Sequence, residues 1–186
     1  AEERETMLEE TTRLMTQLEE STADPEKRRG VLLELYALNP ENKNLLAFAA
    51  YYDAMESEWT LAIQTAEKYL QLSGREESLR LGTRLLVPGI LLHLGKEEEA
   101  LEQLHKIHKL TNAPWHRQIC STLLNEQSEK ELIDKAGNVP EKILIAYTAL
   151  GFRAEARGDY GLAIKYYRKA LGSYLDNWAE YKLARH

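Results

Sequence analysis

The chain has 186 residues, of which 44% are hydrophobic and 29% charged, and its formal net charge is −6. It contains 31 Leu and 20 Ala against 8 Ile and 3 Val, with only 10 Gly and 5 Pro. Sheet proteins need β-branched residues in their strands and Gly or Pro in their turns, so this composition predicts an all-α protein. The two signs of charge are mixed along the chain, which disfavours nucleic acid as a partner.

The longest uncharged run, Leu85 to Gly95, covers eleven residues. A membrane-spanning helix needs about 20, so we predict no transmembrane segment. The chain begins at Ala1 without a signal-like stretch, and it holds one cysteine, Cys120. We expect a cytoplasmic location, with a periplasmic or exported one as the alternative if Ala1 follows a removed signal or anchor.

Apolar residues recur at intervals of three and four through most of the chain, which is typical of amphipathic helices. Asp24-Pro25 and Ser128 are typical helix starts, since Asp and Ser cap and Pro fits the first helical position. Ser73-Gly74, Gly95 and Gly158 are typical ends. The predicted helices are, in chain order, 1–21, 25–38, 44–55, 61–72, 77–94, 97–110, 114–124, 128–137, 140–157, 160–171 and 177–185.

Residues 144–177 form a helix–turn–helix unit with small and aromatic residues at fixed places. The first helix carries Tyr147, Leu150 and Gly151, the turn is 158–160, and the second helix carries Ala163, Tyr167 and Ala170. This pattern resembles the tetratricopeptide repeat (TPR), a 34-residue helix pair with these residue types at these places. Small residues let the two helices approach closely, and such units must stack in order to bury their apolar faces.

The resemblance implies an all-α, right-handed α-solenoid of antiparallel helix pairs, a TPR-like superhelix of about five degenerate repeats and a C-terminal capping helix. We expect one domain, 1–186. Ala62 and Ala100 match Ala163 in the register, with about one turn inserted near residues 73–78. Pro88 stands in mid-helix where Gly is usual, which predicts a kink and suggests a hinge. The expected units are 9–42, 43–76, 81–113, 114–143 and 144–177, with the cap at 178–186.

In this family the first helices line a concave groove that binds peptides. Some members bind acidic C-terminal tails through Lys, Arg and Asn, but the matching positions here carry Ala47, Tyr51, Leu85, Gly89, Thr148 and Phe152, so that clamp is absent. An apolar and aromatic lining would suit an apolar or amphipathic segment. The alternative is that several of these side chains pack between first helices. The predicted groove residues are Asn44, Ala47, Tyr51, Met55, Leu85, Leu92, His93, Thr148, Phe152 and Glu155.

Catalytic and metal-binding signatures are weak. His93, His105 and His108 are near enough in sequence for a zinc hypothesis, but there is no HExxH motif and no cysteine nearby. Cys120 lies four residues after His116 in an apolar stretch, which indicates a buried thiol rather than a nucleophile. We therefore expect no catalytic residue, no metal and no cofactor, and no enzyme activity in this chain.

The sequence thus predicts a non-catalytic interaction module or scaffold with a protein or peptide partner. Two other functions remain open. In the first, the chain is the regulatory or scaffolding portion of a longer signalling enzyme or envelope protein. In the second, it is a self-association module that forms a homodimer through unsatisfied apolar ends.

Overall fold

A computed structural model of the chain describes residues 2–21, 24–73 and 80–186. Within these ranges the structure consists of eleven α-helices and contains no strand, which confirms the all-α prediction for this part of the chain. The helices are α1 (Glu2–Glu20), α2 (Pro25–Leu38), α3 (Asn44–Met55), α4 (Trp59–Leu72), α5 (Arg80–His93), α6 (Glu97–Leu110), α7 (Pro114–Leu123), α8 (Glu129–Ala136), α9 (Pro140–Ala156), α10 (Tyr160–Leu171) and α11 (Ala179–Arg185).

Four features of the sequence analysis lie outside the described residues. They are Ala1, the break at Gly74, the predicted helix start at Glu77 and most of the insertion placed at 73–78. The chain divides into two compact units, Ala1–Leu79 and Arg80–His186. The expectation of one domain and of a right-handed superhelix stays a prediction.

The helix ends follow the local signals. The Asp24 side chain accepts a hydrogen bond from the Lys27 amide at 3.0 Å, and Pro25 occupies the first position of α2. Ser128 accepts from the Glu131 amide at 3.2 Å at the start of α8. Gly158 adopts a φ of 78°, a left-handed conformation that favours glycine, between α9 and α10. Caps of this kind satisfy the free amides of the first helical turn.

In the Ala1–Leu79 unit, consecutive helices α1 to α4 pack on one another. Leu14 of α1 packs with Val31 and Leu35 of α2. The α3 helix is buried over most of its length, because it lies between α2 and α4. Its one buried carboxylate, Asp53, forms an ion pair with Arg29 of α2, with Asp53 Oδ1 2.6 Å from Arg29 Nε.

In the Arg80–His186 unit, α5 pairs with α6, α9 pairs with α10, and α5 also packs directly against α9. This differs from the predicted array, in which the unit 114–143 stands between 81–113 and 144–177 and each repeat contacts only its neighbours. Here α7 packs on α6, and α8 packs on α9. The α11 helix packs on α9 and α10.

Candidate functional site

The contact between α5 and α9, which we call the seam, depends on a glycine. A Cβ atom built on Gly89 would lie 2.4 Å from Phe152 Cδ1, so only a residue without a side chain fits beneath the Phe152 ring. Pro88, next to it, is fully buried, and α5 continues through it to His93. The sequence departs from the repeat pattern at Pro88, where Gly is usual. This Pro88-Gly89 pair therefore lies at the contact between α5 and α9.

The α9 helix repeats this arrangement on its other side. A Cβ atom on Gly151 would lie 2.5 Å from Cε1 of Tyr167, which belongs to α10. Gly151 thus acts as the close crossing point that the repeat pattern predicts for this helix pair. Two consecutive residues of α9 therefore contact two different helices. Gly151 packs against the Tyr167 ring of α10, and the Phe152 ring packs against Gly89 of α5.

A polar cluster lies at one end of the seam. The rings of His93 and Phe152 are 4.4 Å apart, and the Tyr167 hydroxyl donates a hydrogen bond to Glu155 Oε2 at 2.5 Å. Burial lowers the pKa of His93, while Glu155 and a hydrogen bond to the Phe152 carbonyl oppose this shift. Burial and the Glu155 carboxylate raise the pKa of Tyr167. Gly89 on α5 faces Phe152 on α9, and His93 on α5 lies near Glu155 on α9. The two helices therefore run in the same direction here.

An apolar cavity of about 20 Å³ opens beside the seam. A cavity of this volume has room for about one water molecule or one methyl group. The cavity is shared by four helices of the Arg80–His186 unit. Its lining residues are Leu85, Pro88, Gly89 and Leu92 of α5, Leu104 of α6, Leu123 of α7, and Ala149, Phe152 and Arg153 of α9.

The ten predicted groove residues fall into two equal groups by exposure. Tyr51 is only 2% exposed and Phe152 only 5%, so neither presents a face to a ligand in this conformation. For Phe152 the physical reason is the packing partner: it fills the space left by Gly89. The buried residues are Ala47, Tyr51, Leu85, Thr148 and Phe152, and the half-exposed ones are Asn44, Met55, Leu92, His93 and Glu155.

The predicted residues also divide between the two units. Asn44, Ala47, Tyr51 and Met55 lie on α3 of the Ala1–Leu79 unit, and none of them is among the residues that line the cavity. Leu85, Leu92 and Phe152 come together around the cavity, and His93 and Glu155 lie at the polar end of the seam. The structure therefore brings together every predicted α5 and α9 residue except Thr148, which is buried and does not line the cavity.

Arg153 is a central residue of this region that the sequence analysis missed. Its Nη1 donates to the carbonyl oxygens of Thr122 at 3.0 Å and Leu123 at 3.1 Å, at the end of α7. Its Nη2 lies 2.6 Å from Glu129 Oε1, and Tyr166 donates to the other oxygen of Glu129. The sequence does contain a signal for this residue, since Arg153 is the only charged residue in the apolar stretch 143–154. A charge on a buried helix face requires hydrogen-bonding partners, which predicts a contact of this kind.

Cys120, His108 and His116 each lie in a buried or hydrogen-bonded environment. Cys120 is fully buried, and burial raises the pKa of its thiol to about 12, so it is not ionised near neutral pH. The ring of His108 lies 3.2 Å from Ser121 Oγ, and that of His116 lies 3.3 Å from Thr111 Oγ1. Among the described residues, no three His, Cys, Asp or Glu side chains are placed to hold a metal ion.

Comparison of the chain with protein-family models, with curated proteins and with solved structures found no match. The resemblance to the tetratricopeptide repeat therefore stays a prediction from the residues. Within the described part of the chain, none of the helices is both long and apolar enough to cross a bilayer.

Proposed function

We propose that this chain is a non-catalytic protein-interaction module of TPR-like design. It binds an apolar or amphipathic segment of a partner at the cavity beside the α5–α9 seam. The observation that carries this proposal is the open apolar cavity next to Leu92, with His93 and Glu155 at the polar end of the same seam. Pockets with an apolar lining and few polar groups are the usual form of a binding site.

The size of the cavity limits what it accepts. About 20 Å³ is enough for a methyl group or the tip of a branched side chain. A partner would insert Ala, Val or Leu there and cover the half-exposed side chain of Leu92. A basic or hydrogen-bonding group next to that anchor would lie within reach of the Glu155 carboxylate, which gives the site its polarity.

The buried residues support the site instead of contacting the partner. Phe152 shapes one wall, and Gly89 lets α5 and α9 approach closely enough to form it. Replacing Phe152 would change packing and binding together, so it is unsuitable as a test of recognition. Leu92 is the appropriate position, because it lines the cavity and retains exposed surface.

A random-peptide display library selected against the folded chain tests this function. We expect the selected peptides to share a small apolar anchor and to lose at least about tenfold in affinity against Leu92→Glu. Leu110→Glu is the matched control, since Leu110 is 65% exposed and does not line the cavity. Peptides that bind Leu92→Glu as tightly as the unaltered chain would show that the cavity is not the recognition site.

A further inference from the structure

The outer faces of two helices carry apolar side chains that no neighbouring helix covers. On α1, Leu8 is 67% exposed, with Met7 and Met15 also largely in solvent. On α10, Tyr160 is 65% exposed and Ile164 is 50% exposed. Single exposed apolar residues are ordinary, but groups aligned on one helix face are typical of interaction surfaces.

Helical spacing places each group on one face. Leu8 and Met15 are seven residues apart, and Glu19 follows Met15 by four, so these three side chains share a face of α1. Tyr160, Ile164 and Arg168 are spaced by four and share a face of α10. We call these the α1 face and the α10 face. Each consists of an apolar pair followed by one exposed charge, and the two charges have opposite sign.

The two helices are also complementary in total charge. The described side chains of α1, residues 6–20, include four acidic residues and one basic residue, a net charge of −3. The α10 helix contains Lys165, Arg168 and Lys169 and no acidic residue, a net charge of +3. Lys165, Arg168 and Lys169 are all exposed, and Lys169 lies over the Tyr147 ring. Opposite potentials of this kind steer association and fix its register.

From this complementarity we propose that the chain self-associates, with the α1 face of one copy docked on the α10 face of a second copy. The Leu8 and Met15 side chains would cover Tyr160 and Ile164, and Glu19 would pair with Arg168. Each copy carries one face of each kind, so the contact either closes reciprocally in a pair or continues to further copies. This interaction goes beyond the proposed peptide-binding function and uses other surfaces.

One helix-on-helix contact buries a small area, so we expect weak, salt-dependent association. Sedimentation velocity over a concentration series up to about 1 mM, at low and high salt, measures it. Leu8→Lys and Ile164→Glu should each lower the association constant by about tenfold or more, and Leu110→Lys should leave it unchanged. A chain that stays monomeric throughout the series, or that is weakened equally by Leu110→Lys, overturns the proposal.

Mixing the two defective variants tests the pairing of the faces. Leu8→Lys retains the α10 face and Ile164→Glu retains the α1 face, so an equimolar mixture should form a one-to-one complex that neither variant forms alone. If the mixture sediments as monomers, the two faces do not bind each other.

A charge exchange tests the register within that contact. Glu19→Arg and Arg168→Glu should each weaken association, and the doubly substituted chain should regain it, because the pair is restored with reversed sign. Far-UV circular dichroism checks that every variant keeps its helical content. Failure of the double variant to associate more strongly than either single variant overturns the Glu19–Arg168 pairing.

Discussion

The Cα of Gly89 lies so close beneath the Phe152 ring that a methyl group at position 89 would be 2.4 Å from Phe152 Cδ1. This relationship joins α5 to α9 and forms one wall of the cavity. It also assigns a role to Gly89, which follows the proline that stands within α5.

Gly89→Ala should destabilise the Arg80–His186 unit by about 1–3 kcal/mol, because the added methyl group overlaps the Phe152 ring and forces it to shift. Urea unfolding followed by far-UV circular dichroism measures the change. Gly30→Ala is the matched control: Gly30 lies within α2 with nothing within 4 Å of its Cβ position, so the same substitution should stabilise by about 0.5–1 kcal/mol. Equal effects at the two positions would contradict the close seam.

Arg153→Met should cost about 2–3 kcal/mol in the free energy of unfolding, because it removes the Arg153 donor from the carbonyl groups of Thr122 and Leu123 and from one oxygen of the Glu129 carboxylate. Denaturant titration measures the loss. Glu99→Gln, which removes the exposed pair between Lys96 and Glu99, should change stability by less than about 1 kcal/mol. A loss at Arg153 no larger than at Glu99 would mean that the buried contacts contribute little.

The free energy of unfolding should fall as the pH is lowered from about 7.5 to about 5.5. Burial lowers the pKa of both His93 and His116 below the ordinary value of 6.5, so the unfolded chain binds more protons in this range. The contribution of His93 and His116 to the free energy of unfolding is therefore fully present above pH 6.5, and it decreases as the pH falls towards their lowered pKa values. Unfolding curves across this range should flatten in His93→Gln/His116→Gln, and an unchanged slope would contradict the assignment.

The Cys120 thiol should be inert towards iodoacetamide in the folded chain at pH 8. With a pKa of about 12, about one thiol in 10,000 is ionised at that pH, and the side chain is fully buried. Mass spectrometry of the alkylated protein measures this, with the chain in urea as the positive control. Rapid modification without denaturant would show that the α7 region opens readily.

The positions of the helices could be predicted from local signals in the sequence. The burial of predicted site residues such as Phe152 could not. The predicted bounds of α2, α3, α6 and α10 match the structure. Pro25, Gly95 and Gly158 mark helix boundaries through local backbone preferences, which do not depend on distant residues. Spacing also predicted that Phe152 lies on a face of α9 that lines a groove. It did not show that α5 covers that face, since this contact joins residues 63 positions apart and depends on the absence of a side chain at 89.

The direct contact of α5 with α9 sets an order for folding. The pairs α5–α6 and α9–α10 join neighbours in sequence and close short loops, while the seam must gather a chain segment of more than 40 residues between His93 and Pro140. The entropy lost in closing a loop grows with its length, and contacts between distant residues slow folding. We expect the hairpins of helices to form first and the ring of Phe152 to reach Gly89 late. We expect the hydrogen bonds of Arg153 to the end of α7 to form at the same late stage.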